Sequence, residues 1–88
     1  MIELKNWIKT RENIEIEPKQ WGKLNKLIVE YVNKENPNIF VRIWFDDSIN
    51  EYAVIYGKEY VNERKYFETW QEAIKFAMDW MKRHRRIK

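Results

Sequence analysis

From Ile39 to Phe45 the apolar residues Ile39, Val41, Ile43 and Phe45 alternate with Phe40, Arg42 and Trp44. Side chains leave a strand on alternate faces, so this run is a strand with one face in a core, whatever surrounds it. Such a strand needs paired neighbours and a covering layer. Eighty-eight residues supply one such unit, a single small domain over 1–88. Five Trp, five Tyr and four Phe within a 44% apolar composition give enough bulk to offset the chain entropy of a domain this size, which excludes disorder.

On either side of this strand the pattern changes. Trp21, Leu24, Leu27, Ile28, Tyr31 and Val32 form one stripe at helical spacing, Pro18 suits a first helical turn, and Asn36 before Pro37 ends the element. The spacing predicts an amphipathic helix there. Asp46, Asp47, Ser48 and Asn50 supply turn chemistry before a second strand at Tyr52–Tyr56. Gly57 and Lys58 then suit a tight turn or bulge, with a third strand from about Tyr60 to Phe67, or the turn falls later at Asn62 and Glu63. Thr69-Trp70-Gln71-Glu72 is a capping box, and Trp70, Ala73, Ile74, Ala77, Trp80 and Met81 continue it at helical spacing. Residues 1–17 read as an arm with a helical turn at Leu4, Trp7 and Ile8 and an edge strand at Ile14 and Ile16. The expected fold class is α+β: an amphipathic helix, a three-stranded antiparallel meander and a C-terminal helix, both helices on one face of the sheet.

That order is the order of the double-stranded RNA-binding domain, and T-W-Q-E-A-I-K-F-A at Thr69–Ala77 is similar to the start of that family's second helix. The resemblance implies the fold over residues 18–86. That family's phosphate contacts come from lysines at the start of this helix, where this chain has Trp70 and Gln71.

Charge is concentrated at one end. The net charge is +3, yet residues 82–88 alone carry five cations, Lys82, Arg83, Arg85, Arg86 and Lys88, leaving 12 cations against 14 acids before them. A basic cluster suits phosphate contact, and cations at a helix C-terminus are also favoured by the helix dipole. Catalytic material is scarce: Ser48 is the sole serine, His84 the sole histidine, and cysteine is absent. Neither an oriented serine nucleophile nor a usual zinc site can be assembled, and no glycine-rich phosphate loop is present. The residues imply a non-enzymatic chain without a cofactor or metal. No apolar run reaches the roughly 18 residues of a membrane helix, and MIELKNWIKT lacks the core of a signal peptide, so a cytoplasmic protein without membrane attachment is expected.

Parity supplies the binding expectation. If Ile39, Val41, Ile43 and Phe45 face the helices, Phe40, Arg42 and Trp44 face away, and a consistent register brings Tyr52, Tyr56, Tyr60, Arg64 and Tyr66 beside them. An open aromatic and basic platform of Phe40, Arg42, Trp44, Tyr56, Tyr60 and Arg64, with Lys82, Arg83, Arg85 and Arg86 as an electrostatic hold, would stack and clamp single-stranded or structured nucleic acid. Trp, Tyr and Arg equally mark protein hot spots, so the alternative is a small regulator or inhibitor, of the compact type that phages and other mobile elements encode, docking this face on a larger protein. The N-terminal arm or a second copy of the chain covering that face would hide it from both.

Overall fold

The computed structural model describes residues 6–20 and 24–84, and the side chains of 6–15 and 26–84 among them. Five antiparallel strands, β1 (Trp7–Gln20), β2 (Leu24–Asn33), β3 (Ile39–Asp46), β4 (Glu51–Lys58) and β5 (Val61–Phe67), form one sheet in chain order. Among the described residues a single helix, α1 (Trp70–Arg83), packs on one face against β3, β4 and β5. This corrects the expected fold. The class is α+β, but five strands and one helix replace the three-stranded meander between two helices, and the order shared with the double-stranded RNA-binding domain is lost with the first helix.

The segment expected to be that helix is the C-terminal part of β1 and then β2, with Trp21 and Gly22 outside the described residues. Two physical causes explain the misreading. Ile28, Val29, Tyr31 and Val32 are β-branched or aromatic and fit a pleated surface better than a helix. The pairing of Leu27 with Trp44 and of Val29 with Ile43 leaves Ile28 as an extra residue, a bulge that slips the alternation by one. Apolar residues of both faces then fall at spacings of three and four. Pro18 is tolerated because β1 lies at the edge of the sheet. The helical turn expected at Trp7 and Ile8 is likewise strand, Trp7 pairing with Asn33 and Ile8 with Val32.

Asn33 ends β2 by accepting from the amides of Glu35 at 2.9 Å and Asn36 at 3.1 Å. Asp46 performs the same service in the β3–β4 turn, where its carboxylate accepts from the Ser48 amide at 3.0 Å. The β4–β5 turn falls between the two positions the sequence offered, at Glu59 and Tyr60, so that Gly57 and Lys58 on one side and Asn62 and Glu63 on the other are all strand. Gly57 is already in the ladder, opposite Asn62, with φ +129°; a Cβ there would lie 2.6 Å from the Val61 carbonyl oxygen.

Thr69 caps α1, accepting from the Glu72 amide at 3.2 Å, while its hydroxyl donates to the Glu72 carboxylate at 3.0 Å. Ala73, Ala77 and Met81 are fully buried, so the helix backbone sits close to Val41, Ile43 and Val54 of the sheet. Each such Val or Ile contributes about 1.5–3 kcal/mol on burial. Trp7 ties the first strand to the last turn of the helix: its indole Nε1 donates to the Met81 carbonyl at 3.0 Å and its ring meets Trp80 edge-on at 5.8 Å.

Two substitutions test these contacts by urea unfolding. Gly57→Ala is expected to cost more than about 1 kcal/mol, because both the backbone angle and the space oppose a side chain. Trp7→Phe should cost at least about 1 kcal/mol for the buried hydrogen bond alone. Midpoints unchanged from wild type would remove the hairpin constraint in the first case and the strand-to-helix tie in the second.

Candidate functional site

The face of the sheet opposite α1 carries three cross-strand rows. The central row runs Arg11, Glu30, Arg42, Ile55, Arg64 across all five strands. One flanking row is Ile14, Leu27, Trp44, Ala53, Tyr66, and the other is Ile8, Val32, Phe40, Gly57, Asn62. Charge is thus confined to one stripe between two mainly apolar ones.

Glu30 is the hub of that stripe. Arg11 donates to both of its carboxylate oxygens, at 3.0 and 2.9 Å, Thr10 Oγ1 donates at 2.7 Å, and Arg42 Nε donates from the other side. Burial by itself would raise the Glu30 pKa, but the hydrogen bonds from Arg11, Thr10 and Arg42 outweigh it and hold the carboxyl at about 2. Arg42 reaches on to Glu59 at 3.8 Å and lays its guanidinium over the Phe40 ring at 3.9 Å.

The parity expected for β3 is found, but the open platform is not. Phe40 and Trp44 do project away from the helix, yet they are only 3% and 5% exposed. Their cross-strand neighbours explain why. Gly57 beside Phe40 and Ala53 beside Trp44 leave room for the large rings, Leu27, Ile14 and Ile55 close around Trp44, and the Arg42 guanidinium roofs Phe40. Trp44 Nε1 is buried with no acceptor among the described residues.

The tyrosines divide. Tyr52 and Tyr56 pair with Phe45 and Val41 and therefore lie on the helix face, not beside Trp44 as the sequence suggested. Tyr56 is buried against Phe76 and Trp80, both at 5.3 Å, with its hydroxyl donating to Glu63 at 2.8 Å. Tyr60 sits in the β4–β5 turn, 96% exposed. Arg64 and Tyr66 do reach the non-helical face, where Arg64 Nη1 donates to the Tyr66 hydroxyl at 3.2 Å. Lys82 and Arg83 are exposed in the last turn of α1, on the other side of the sheet; Arg85 and Arg86 lie outside the described residues.

A pocket of about 70 Å³ opens on this face. Phe40, Trp44 and Ile55 give it an apolar lining, and Arg42, Arg64, Glu59 and Asn62 a polar one. Sequence reasoning found four of these seven residues and missed Ile55, Glu59 and Asn62, together with Glu30 and Arg11. Ile55 follows from parity once β4 is registered on β3. Glu30 carried no signal because its segment read as helix. Among the described residues no group of three or more His, Cys, Asp or Glu converges, and no helix is long and apolar enough to cross a membrane.

Because the folded pKa of Glu30 lies below the ordinary value of 4.5, its contribution is complete above that value and is lost as pH falls through about 2. The contribution is on the order of 2–3 kcal/mol. Urea midpoints should therefore fall between pH 5 and pH 2, and Glu30→Gln should remove most of that acid dependence while lowering stability at pH 7. An equally steep acid limb in Glu30→Gln would assign it elsewhere.

No family model matches the chain, and no curated protein or solved structure matches it either.

Proposed function

We propose that the chain is a non-enzymatic protein-binding module, a small regulator or inhibitor that docks the non-helical face of its sheet on a larger protein. The observation that carries this reading is the sealing of Phe40 and Trp44 beside an exposed Arg64 and a 40% exposed Tyr66. Bases need free ring faces to stack on, and these two rings offer none in the folded monomer. A protein partner needs something else: a firm, largely apolar surface with a few anchored polar groups and an adjacent hollow for a side chain. The 70 Å³ pocket, with Arg42 fixed by Glu30 and Arg64 free at four of its five donors in the described contacts, fits that description.

Two further features favour protein over nucleic acid. Within the central stripe Arg11 and Arg42 are offset by Glu30 and Glu59, so among the described residues Arg64 is the one arginine there that keeps its charge free to release counterions, too little for a phosphate backbone. The exposed Lys82 and Arg83 stand on the helix side, so the pocket and the basic helix end cannot hold one strand together. Those two residues are the support that a nucleic-acid reading keeps.

The test pairs two measurements. A single-stranded oligonucleotide should show no saturable binding below about 0.1 mM at physiological salt. Capture of a stoichiometric protein partner should fall by tenfold or more in Arg64→Glu/Tyr66→Ala, whose melting temperature should stay close to wild type because both residues are at the surface. Tight, steeply salt-dependent oligonucleotide binding that weakens in Arg83→Ala would replace this reading with nucleic-acid binding.

A further inference from the structure

The two edges of the sheet are built differently. Along β1 the ladder is broken by the extra residue between Lys9 and Arg11, Asn13 has φ +51°, and Pro18 removes a donor. Bulges and prolines of this kind keep an edge from pairing with another chain. Strand β5 has none of these devices. Its seven residues, Val61-Asn62-Glu63-Arg64-Lys65-Tyr66-Phe67, pair with β4 without a register shift and contain no proline. Residues 61–66 are all exposed, with Val61 at 76%, and among the described residues no strand lies beyond them.

We infer that β5 pairs with β5 of a second copy, antiparallel about a two-fold axis at Arg64, to make a continuous ten-stranded sheet. A two-fold axis normal to the sheet keeps every side chain on its own face, so only residues of equal parity can stand opposite one another. Three registers keep most of the strand paired. Centred on Glu63, the axis sets glutamate against glutamate and Val61 against Lys65. Centred on Lys65, it sets lysine against lysine and Glu63 against Phe67. Centred on Arg64, it sets Glu63 opposite Lys65 of the second copy twice, and Val61 opposite Phe67 twice. That register alone gives opposite-charge pairs.

In the monomer Glu63 and Lys65 both stand on the helix face, Lys65 with its ammonium over the Phe76 ring at 5.1 Å, from which it has to turn outward to meet a second copy. Glu63 is already held on the helix face by the Tyr56 hydroxyl at 2.8 Å, which leaves its other oxygen for a lysine. Arg64, the one residue that meets its own copy, leans along its strand to the Tyr66 hydroxyl at 3.2 Å and so away from the axis. Seven paired residues span only about 23 Å at roughly 3.3 Å each, and an edge contact of that length gives a weak dimer. The pairing leaves the pocket face of both copies open on one side of the enlarged sheet, so it goes beyond the proposed partner docking and does not depend on it.

Sedimentation equilibrium of the full chain reads the outcome. The apparent mass of wild type should rise from 11.1 kDa toward twice that value as concentration goes from about 10 μM to about 1 mM. Glu63→Lys or Lys65→Glu alone should weaken association about tenfold or more, since each puts like charges at two positions. The double variant Glu63→Lys/Lys65→Glu should restore it, because the pairs re-form with their signs exchanged. Arg64→Thr, which leaves the Tyr56–Glu63 bond intact, should tighten association by removing the like charges at the axis. A wild type that stays at 11.1 kDa throughout, a double variant no better than the singles, or Arg64→Thr no tighter than wild type overturns the pairing.

Discussion

Glu30 has to be charged and fully coordinated for the non-helical face to hold its shape. A carboxylate in the middle of a sheet loses water, and what replaces it here is a set of donors from both neighbouring strands: Arg11 and Thr10 from β1, Arg42 from β3. The consequence is mechanical as much as electrostatic. Arg42, anchored at its Nε, cannot swing into solvent, so its guanidinium plane stays over Phe40 and its outer edge stays near Glu59 in the β4–β5 turn. One buried charge thus links β1, β2 and β3 and sets one wall of the pocket next to β4 and β5.

The central strand is consequently buried on both faces, with only one of them covered by a helix. Ile39, Val41 and Ile43 pack under α1; Phe40 and Trp44 are covered from within the sheet by small neighbours and by the arginine above. In a chain this short a second helical layer would consume residues that the strands already use. Pairing each ring with a small residue on the next strand, Gly57 for Phe40 and Ala53 for Trp44, removes apolar area from water without that layer. It also spends the aromatic faces on stability, and what is left for recognition is the pocket and its rim.

This accounts for which parts of the molecule were legible in the sequence. The alternation of β3, the turn at Asp46, and the cap at Thr69 are local patterns with local causes, and each is found where the residues place it. The N-terminal third depends on non-local events. The bulge at Ile28 can be recognised only against the ladder of β3, and without it Leu27, Ile28, Tyr31 and Val32 read as one face of a helix. Val29 was the dissenting residue: a core position on the helix face of the sheet that the helical stripe left out. Glu30 next to it was invisible for the same reason, since its three partners come from positions 12 to 20 residues away.

Parity alone says which way a side chain leaves the backbone; exposure depends on what stands beside it. The sequence put Phe40 and Trp44 on the correct side of β3, but reading them as free surface required large neighbours, or none, across the strand. Gly57 and Ala53 were the contrary evidence, because a small residue opposite a large ring in an antiparallel pair marks a place where the ring can be covered. Gly57 has a second role on its other side. Its missing Cβ lets the Val61 carbonyl and Asn62 come close, and so admits β5 to the ladder. Bulk added at Gly57 therefore meets β5 first, and disturbs the edge strand as well as the pairing with Phe40.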